Sequence, residues 1–186
     1  GLATVAVRRP DSPMTLELIR ILGEPVAAPS ANKFGRTSPS RAEHVRSEFP
    51  GVDLLVLDGG ECEVGIESTV VEVSDDEIRI LRPGGVSEEM LRAALKKLSP
   101  SVRIARAESQ ASPGHLKHHY MPAIPLVLVP GDGLSPETRA KIQTALKLTP
   151  VKPAELVLDE DAALAARQLY SEMRRLAESG ADLLYF

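Results

Sequence analysis

The 186 residues are 43% hydrophobic and 26% charged, with a formal net charge of −4 and a pI near 5.6. That composition is ordinary for a water-soluble globular chain of one large domain or two small ones. It argues against a nucleic-acid grip, which usually needs a clustered basic face, and no apolar run approaches the roughly 18 residues of a membrane helix. The single Cys62 excludes an intramolecular disulfide and fits a reducing cytoplasm. Aromatic residues are only 3%, so the cores must be built from Leu, Val, Ile and Ala.

Leu2 to Val7 reads as a strand from the outset, with no signal-peptide pattern; the segment is therefore expected to be cut from a longer chain. Ser12-Pro13 supplies an N-cap and a first-turn proline, Met14, Leu18, Ile19 and Leu22 follow at helical spacing, and Gly23 closes the helix. Val26 to Ala28 is a second short strand, running into the loop Pro29 to Thr37. Ser38-Pro39 opens another helix, ending before Phe49-Pro50-Gly51. Leu54 to Leu57 reads as a buried strand stopped by Asp58-Gly59-Gly60.

Ser68 to Val73 and Ile78 to Leu81 form an antiparallel pair through the turn Ser74-Asp75-Asp76-Glu77. Ser87 caps a helix with the stripe Met90, Leu91, Ala94, Leu95 and Leu98. From Ser99 to Ala123 periodicity disappears, as in a linker or lid. Order resumes with a strand at Pro125 to Val129, a helix from Ser135-Pro136, a strand at Glu155 to Leu158, a helix over Asp161 to Ser179 and a final strand at Asp182 to Phe186. The last helix should bury Ala166, Leu169, Tyr170, Met173, Leu176 and Ala177. Strands interleaved with helices plus one hairpin predict an α/β fold with a mixed sheet, and the closing β-α-β-α-β order predicts a second, smaller α/β domain.

Ala28-Pro29-Ser30-Ala31-Asn32 ends a strand, where open α/β sheets bind ligands. Its small residues admit a phosphate to backbone N–H groups, and Ser30, Asn32 and Ser38 add hydrogen-bonding side chains. Ser38 is equally well placed as a plain helix N-cap. Arg8 and Arg82 follow strands, where guanidinium groups suit carboxylate or phosphate, although a lone arginine is more often a solvated charge. Gly65-Ile66-Glu67-Ser68-Thr69 leads into a strand, with Glu67 either a base or a partner for an arginine. His115, His118 and His119 with Cys62 lack the spacing of a zinc site, and no P-loop, dinucleotide fingerprint or Ser-His-Asp arrangement is present. No metal-ligating or catalytic side chain can be assigned.

Four stretches, taken in order, resemble the YrdC-type fold of threonylcarbamoyl-AMP synthases: Thr4-Val5-Ala6-Val7-Arg8; Ala28-Pro29-Ser30-Ala31-Asn32 through Ser38-Pro39-Ser40; Gly65-Ile66-Glu67-Ser68-Thr69-Val70-Val71; and Ile80-Leu81-Arg82-Pro83-Gly84. Ser112-Pro113-Gly114 with His119-Tyr120 and Pro122 resembles the linker of the two-domain members. The resemblance implies residues 1–98 as part of a YrdC-like domain with a twisted mixed sheet, 99–123 as linker, and 124–186 as part of a small Rossmann-like domain.

It further implies a cytoplasmic nucleotidyltransferase that joins L-threonine, bicarbonate and ATP, with Mg²⁺, into threonylcarbamoyl-AMP and pyrophosphate, tRNA being served only through a later transfer step. Thr4, Ser30, Asn32, Ser38, Arg82 and Tyr120 match nucleotide positions of the family; Arg8, Ala28 and Ser68 match its threonine pocket. Ser30, Ser38 and Arg82 are expected to converge in one cleft, with the linker folding back to bring Tyr120 over it.

Lys33-Phe34 and Leu116-Lys117-His118 depart from the family's usual residues. The family's K-x-R motif and the Thr and His of its threonine pocket belong to an N-terminal stretch not found here, so these residues alone are expected to be inactive. The competing readings are the carbamoyl-adenylate-forming domain of a hydrogenase-maturation carbamoyltransferase and a non-catalytic RNA-binding module. The Ser112 to Pro122 linker speaks against the first and the negative charge against the second.

Overall fold

The computed structural model describes residues 4–98, 101–107, 120–129, 131, 133–148 and 151–186. They form two compact units that do not follow chain order: 4–31, 41–61, 68–98 and 101–107 make the first, and 32–40, 62–67 and the described residues from 120 onward make the second.

In the first unit, α1 (Pro13–Leu22) starts as its sequence dictates. Ser12 caps it by accepting from the Thr15 N–H, and Gly23 ends it in the left-handed region at φ 74°. α2 (Ala42–Glu48) begins later than Ser38-Pro39 suggests, with Arg41 at the N-cap and no side-chain capping bond. β1 (Val70–Val73) and β2 (Glu77–Arg82) pair antiparallel, turned by Ser74. Glu72 and Arg79 are cross-strand partners joined at 3.0 Å.

α3 (Glu88–Leu98), capped by the Ser87 hydroxyl, then crosses to β3 (Arg103–Arg106), which pairs parallel with β2. β3 lies inside the stretch that reads as linker; four residues flanked by arginines carry too short an alternation to register as a strand. The mixed sheet thus has the order β1-β2-β3.

The strands expected at 4–7, 26–28 and 54–57 are instead irregular backbone. A strand exists only through a ladder partner, and none pairs with these segments among the described residues. Their apolar side chains stand in solvent accordingly: Val5 is 84% exposed, Val7 89% and Leu55 87%. The α3 stripe is also only half covered, with Leu91 and Leu95 partly buried while Met90 and Leu98 are exposed.

The second unit carries the denser core. Its strands are β4 (Leu126–Val127), β5 (Pro153–Glu155) and β6 (Leu183–Tyr185), all parallel in the order β4-β6-β5, with α4 (Pro136–Leu146) and α5 (Ala162–Glu178) as crossovers. β6 is therefore central, and consecutive residues on a strand face opposite sides. Leu183 packs with Ile142 of α4 and Val151, whereas Leu184 packs with Tyr170, Met173 and Leu176 of α5. Both leucines have zero exposure, and burying each stabilises the unit by about 1.5–3 kcal/mol. β5 begins earlier than its apolar run, at Pro153, which an edge strand tolerates; Leu156 still donates its N–H to Tyr185 O. Asp161 caps α5 by accepting from the Ala163 and Leu164 N–H groups. No helix among the described residues is long and apolar enough to cross a membrane.

Candidate functional site

Within the first unit, three sequence-derived candidates meet. Arg8 donates from Nη1 to the Ser68 hydroxyl oxygen at 2.7 Å. Arg82, at the end of β2, donates from Nε and Nη2 to the Ser68 carbonyl oxygen at 3.2 and 2.8 Å. Ser68 is thus held from both sides: Arg82 fixes its backbone and Arg8 engages its side chain. The next residue is anchored as well. Thr69 Oγ1 donates to Val86 O at 2.6 Å and accepts from the Val86 N–H at 3.1 Å, tying the entrance of β1 to the segment before α3. Because Ser68 Oγ accepts from Arg8, its own proton is left for an acceptor, and the remaining Arg8 N–H groups offer further donors. A cation beside a hydroxyl donor suits a carboxylate. Thr4, Ala28 and Ser30 belong to the same unit and are exposed on irregular backbone.

The remaining described candidates, Asn32, Ser38 and Tyr120, belong to the second unit. Asn32 donates from Nδ2 to Lys33 O and Arg36 O, closing the loop on itself, while its Oδ1 is buried without a partner. Gly35 takes positive φ there, and Met121 donates its N–H to Gly35 O at 2.7 Å, so Tyr120–Met121 docks against Gly35–Arg36 through an isolated parallel bridge. His115, His118 and His119 lie outside the described residues.

Ser38 is not a helix cap. Its hydroxyl donates to Glu67 Oε1 at 2.6 Å, and Tyr170 OH donates to Glu67 Oε2 at 2.7 Å. The N-cap role fails because α2 begins only at Ala42, with Arg41 at its N-cap, so no helical N–H lies within reach of Ser38 as a cap, and the intervening loop is pinned where the Cys62 N–H donates to the buried Ser40 carbonyl. Glu67 is thus neither a partner for an arginine nor a free base; it bridges two hydroxyls. The phenol ring of Tyr170 also stacks on Tyr120, with centroids 6.2 Å apart and planes at 24°, within the range of favourable aromatic pairs.

Tyr170 lies on the buried helix face that its spacing predicts, and the one sequence signal for a further role is a hydroxyl among apolar helix positions. Gly65 explains how α5 comes so close. It adopts φ 76°, and a Cβ there would overlap the backbone of Ala166 and Arg167. Arg174, one turn beyond Tyr170, donates to the Thr37 carbonyl at 2.5 Å.

A mixed sheet with Arg82 at a strand end beside Ser68, together with a parallel three-stranded unit, has the features of the YrdC-like α/β class. Residues 1–84 match the family described as telomere recombination (Sua5/YciO/YrdC), and residues 86–186 match the family described as the threonylcarbamoyl-AMP synthase C-terminal domain. The chain belongs to the threonylcarbamoyl-AMP synthase family.

It is 43% identical over 138 residues to the threonylcarbamoyl-AMP synthase of Bacillus subtilis, covering 74% of this chain and 39% of that protein. It is 32% identical over 200 residues to that of Pyrococcus abyssi, covering 99% of this chain and 58% of the relative. The crystal structure of P. abyssi Sua5 complexed with L-threonine superimposes with a TM-score of 0.73 at 30% identity, over all of this chain and 58% of the other. The chain therefore spans about two-fifths to three-fifths of the length of these relatives.

Proposed function

We propose that the protein to which these residues belong is a cytoplasmic L-threonylcarbamoyladenylate synthase, with residues 1–98 contributing to the catalytic domain, 99–123 forming the linker and 124–186 contributing to the C-terminal domain. The observation that carries this reading is the convergence of Arg8 and Arg82 on Ser68. In it, Arg8 and Ser68 take the threonine carboxylate, beside the Ala28 backbone. Thr4, Ser30 and Arg82 in the first unit, and Asn32, Ser38 and Tyr120 in the second, are each assigned to ATP by their match to the family's nucleotide positions.

The threonine amine combines with bicarbonate, losing water, to give a carbamate. A carbamate oxygen then forms a bond to the α-phosphorus of ATP as the bond to the bridging oxygen breaks, and pyrophosphate leaves. Such a displacement is accelerated by positioning and charge stabilisation. Guanidinium, hydroxyl and amide groups suffice for that, and a covalent nucleophile is not required. Closing Tyr120 over the nucleotide would keep water from the acyl adenylate.

Mg²⁺ is proposed to arrive with ATP. Among the described residues no three His, Cys, Asp or Glu side chains gather as a metal cage, and this ion characteristically binds through substrate phosphates and one or two carboxylates; no step is routed through it. The product serves tRNA only after transfer by another component.

The test is pyrophosphate release by this chain fused to the portion of the P. abyssi relative that it does not match. Release should require ATP, L-threonine and bicarbonate together, and the 186 residues alone should show none. Release that persists without threonine, or none from a folded fusion with all three present, would refute the proposal.

A further inference from the structure

Tyr170 lies deep in the sequence of the C-terminal region, 103 positions from Glu67, yet it bonds Glu67 and stacks on Tyr120, one of the proposed nucleotide residues of the second unit. Its hydroxyl reaches Ser38 through Glu67, and its ring stacks on Tyr120. The phenol is 6% exposed, so its hydroxyl requires a partner inside the protein, and Glu67 Oε2 supplies one at 2.7 Å. The same carboxylate then has its other oxygen aimed at Ser38.

Gly65 and Arg174 make the contact specific rather than incidental. The first permits α5 to approach the 62–67 loop, and the second ties the same helix to Thr37, the neighbour of Ser38. A site side chain gains precision when the groups around it are themselves locked by packing and hydrogen bonds.

We infer that Tyr170 is a positioning residue of the nucleotide site, acting through Glu67 to orient the Ser38 hydroxyl. This rests on the reading that Ser38 faces ATP. It has a chemical consequence. A serine has one proton and two lone pairs, and here the proton goes to Glu67. Toward the ligand Ser38 is therefore an acceptor, matched to an N–H or O–H donor on the base or ribose, and it meets a phosphate only by giving up Glu67. Tyr170 thereby lets the C-terminal region favour the nucleoside part of ATP over free pyrophosphate.

Tyr170→Phe is the direct test, because it keeps the ring, the stacking on Tyr120 and the core packing while removing only the hydroxyl. In the fusion, the KM for ATP should rise about three- to ten-fold, the scale of one net hydrogen bond. The KM for L-threonine and the inhibition by added pyrophosphate should not change. Ser38→Ala should raise the KM for ATP similarly, and the double variant should add nothing further. If Ser38→Ala has no effect, the assignment of Ser38 to ATP fails. If Ser38→Ala acts but Tyr170→Phe does not, or the two effects add, the positioning role fails.

A crystal structure of the Tyr170→Phe chain decides the point without ligand. Glu67 should leave Ser38 or populate several rotamers, and an unmoved Ser38–Glu67 pair would overturn the inference.

Discussion

The Arg8 guanidinium stands 2.7 Å from the Ser68 hydroxyl across 60 positions of sequence. Arg8 belongs to irregular backbone and Ser68 immediately precedes Thr69 and β1, so nothing local brings them together. Arg82 fixes the Ser68 backbone independently, which leaves Arg8 as the removable half of the pair. Hydrogen bonds to charged groups contribute about 1.5–3 kcal/mol. Arg8→Ala in the fusion should therefore weaken L-threonine binding roughly ten-fold or more, with ATP affinity little changed. Isothermal titration with each ligand separately checks both halves of the expectation; equal losses for the two ligands would point to a general structural role.

Gly65 sets the approach of α5. Any side chain there combines a left-handed backbone with overlap against Ala166 and Arg167. Gly65→Ala should destabilise the protein by about 1–3 kcal/mol, read by urea unfolding. Gly59, where an added Cβ meets nothing within 4 Å and φ is not positive, should accept alanine with little change.

Glu88 links α3 to β3 by bonding both Arg92 and Arg106, at 2.6 and 2.8 Å. The Arg92 hydrogen bond first, and then that of Arg106, hold its carboxyl below the usual 4.5. A carboxyl depressed in the folded state stabilises above its unfolded value, and that stabilisation disappears as pH falls through the lowered folded value. The stability difference between the wild type and Glu88→Gln should accordingly be constant at neutral pH and close on acidification below 4.5. Paired chemical denaturation across pH measures it, and a gap that widens with acid would reverse the assignment.

Segments 4–7 and 54–57 carry apolar side chains on irregular backbone with no ladder partner among the described residues. Val5, Val7 and Leu55 are all more than four-fifths exposed. Exposed apolar chain without a ladder partner is prone to associate with other copies. Light scattering of the 186-residue chain should show concentration-dependent association, and Leu55→Lys should reduce it without lowering the unfolding midpoint.

Much of the local structure was legible because it is encoded within a few residues. Ser12, Ser87, Ser135 and Asp161 each cap the helix they precede, and the polar turn at Ser74 forms the hairpin. What was not legible depends on distant partners. Leu54 to Leu57 has the composition of a buried strand but finds no ladder partner among the described residues, while Arg103–Arg106 lacks that composition and finds β2. Ser38 has the spacing of an N-cap, yet its hydroxyl goes to Glu67, which a sequence window cannot reveal. The same holds for the candidate residues: Arg8, Ser68 and Arg82 could be nominated singly, whereas their meeting in the first unit, and that of Tyr170 with Glu67 in the second, are properties of the fold.

The central claim is that these residues belong to an enzyme joining threonine, bicarbonate and ATP. The most direct measurement is mass spectrometry of the small-molecule product made by the fusion from carbon-13-labelled bicarbonate. The expected species is an adenylate containing one threonine and one labelled carbon, formed in step with pyrophosphate and absent when threonine is omitted. An adenylate without the label, or pyrophosphate released with no threonine-containing product, would contradict it.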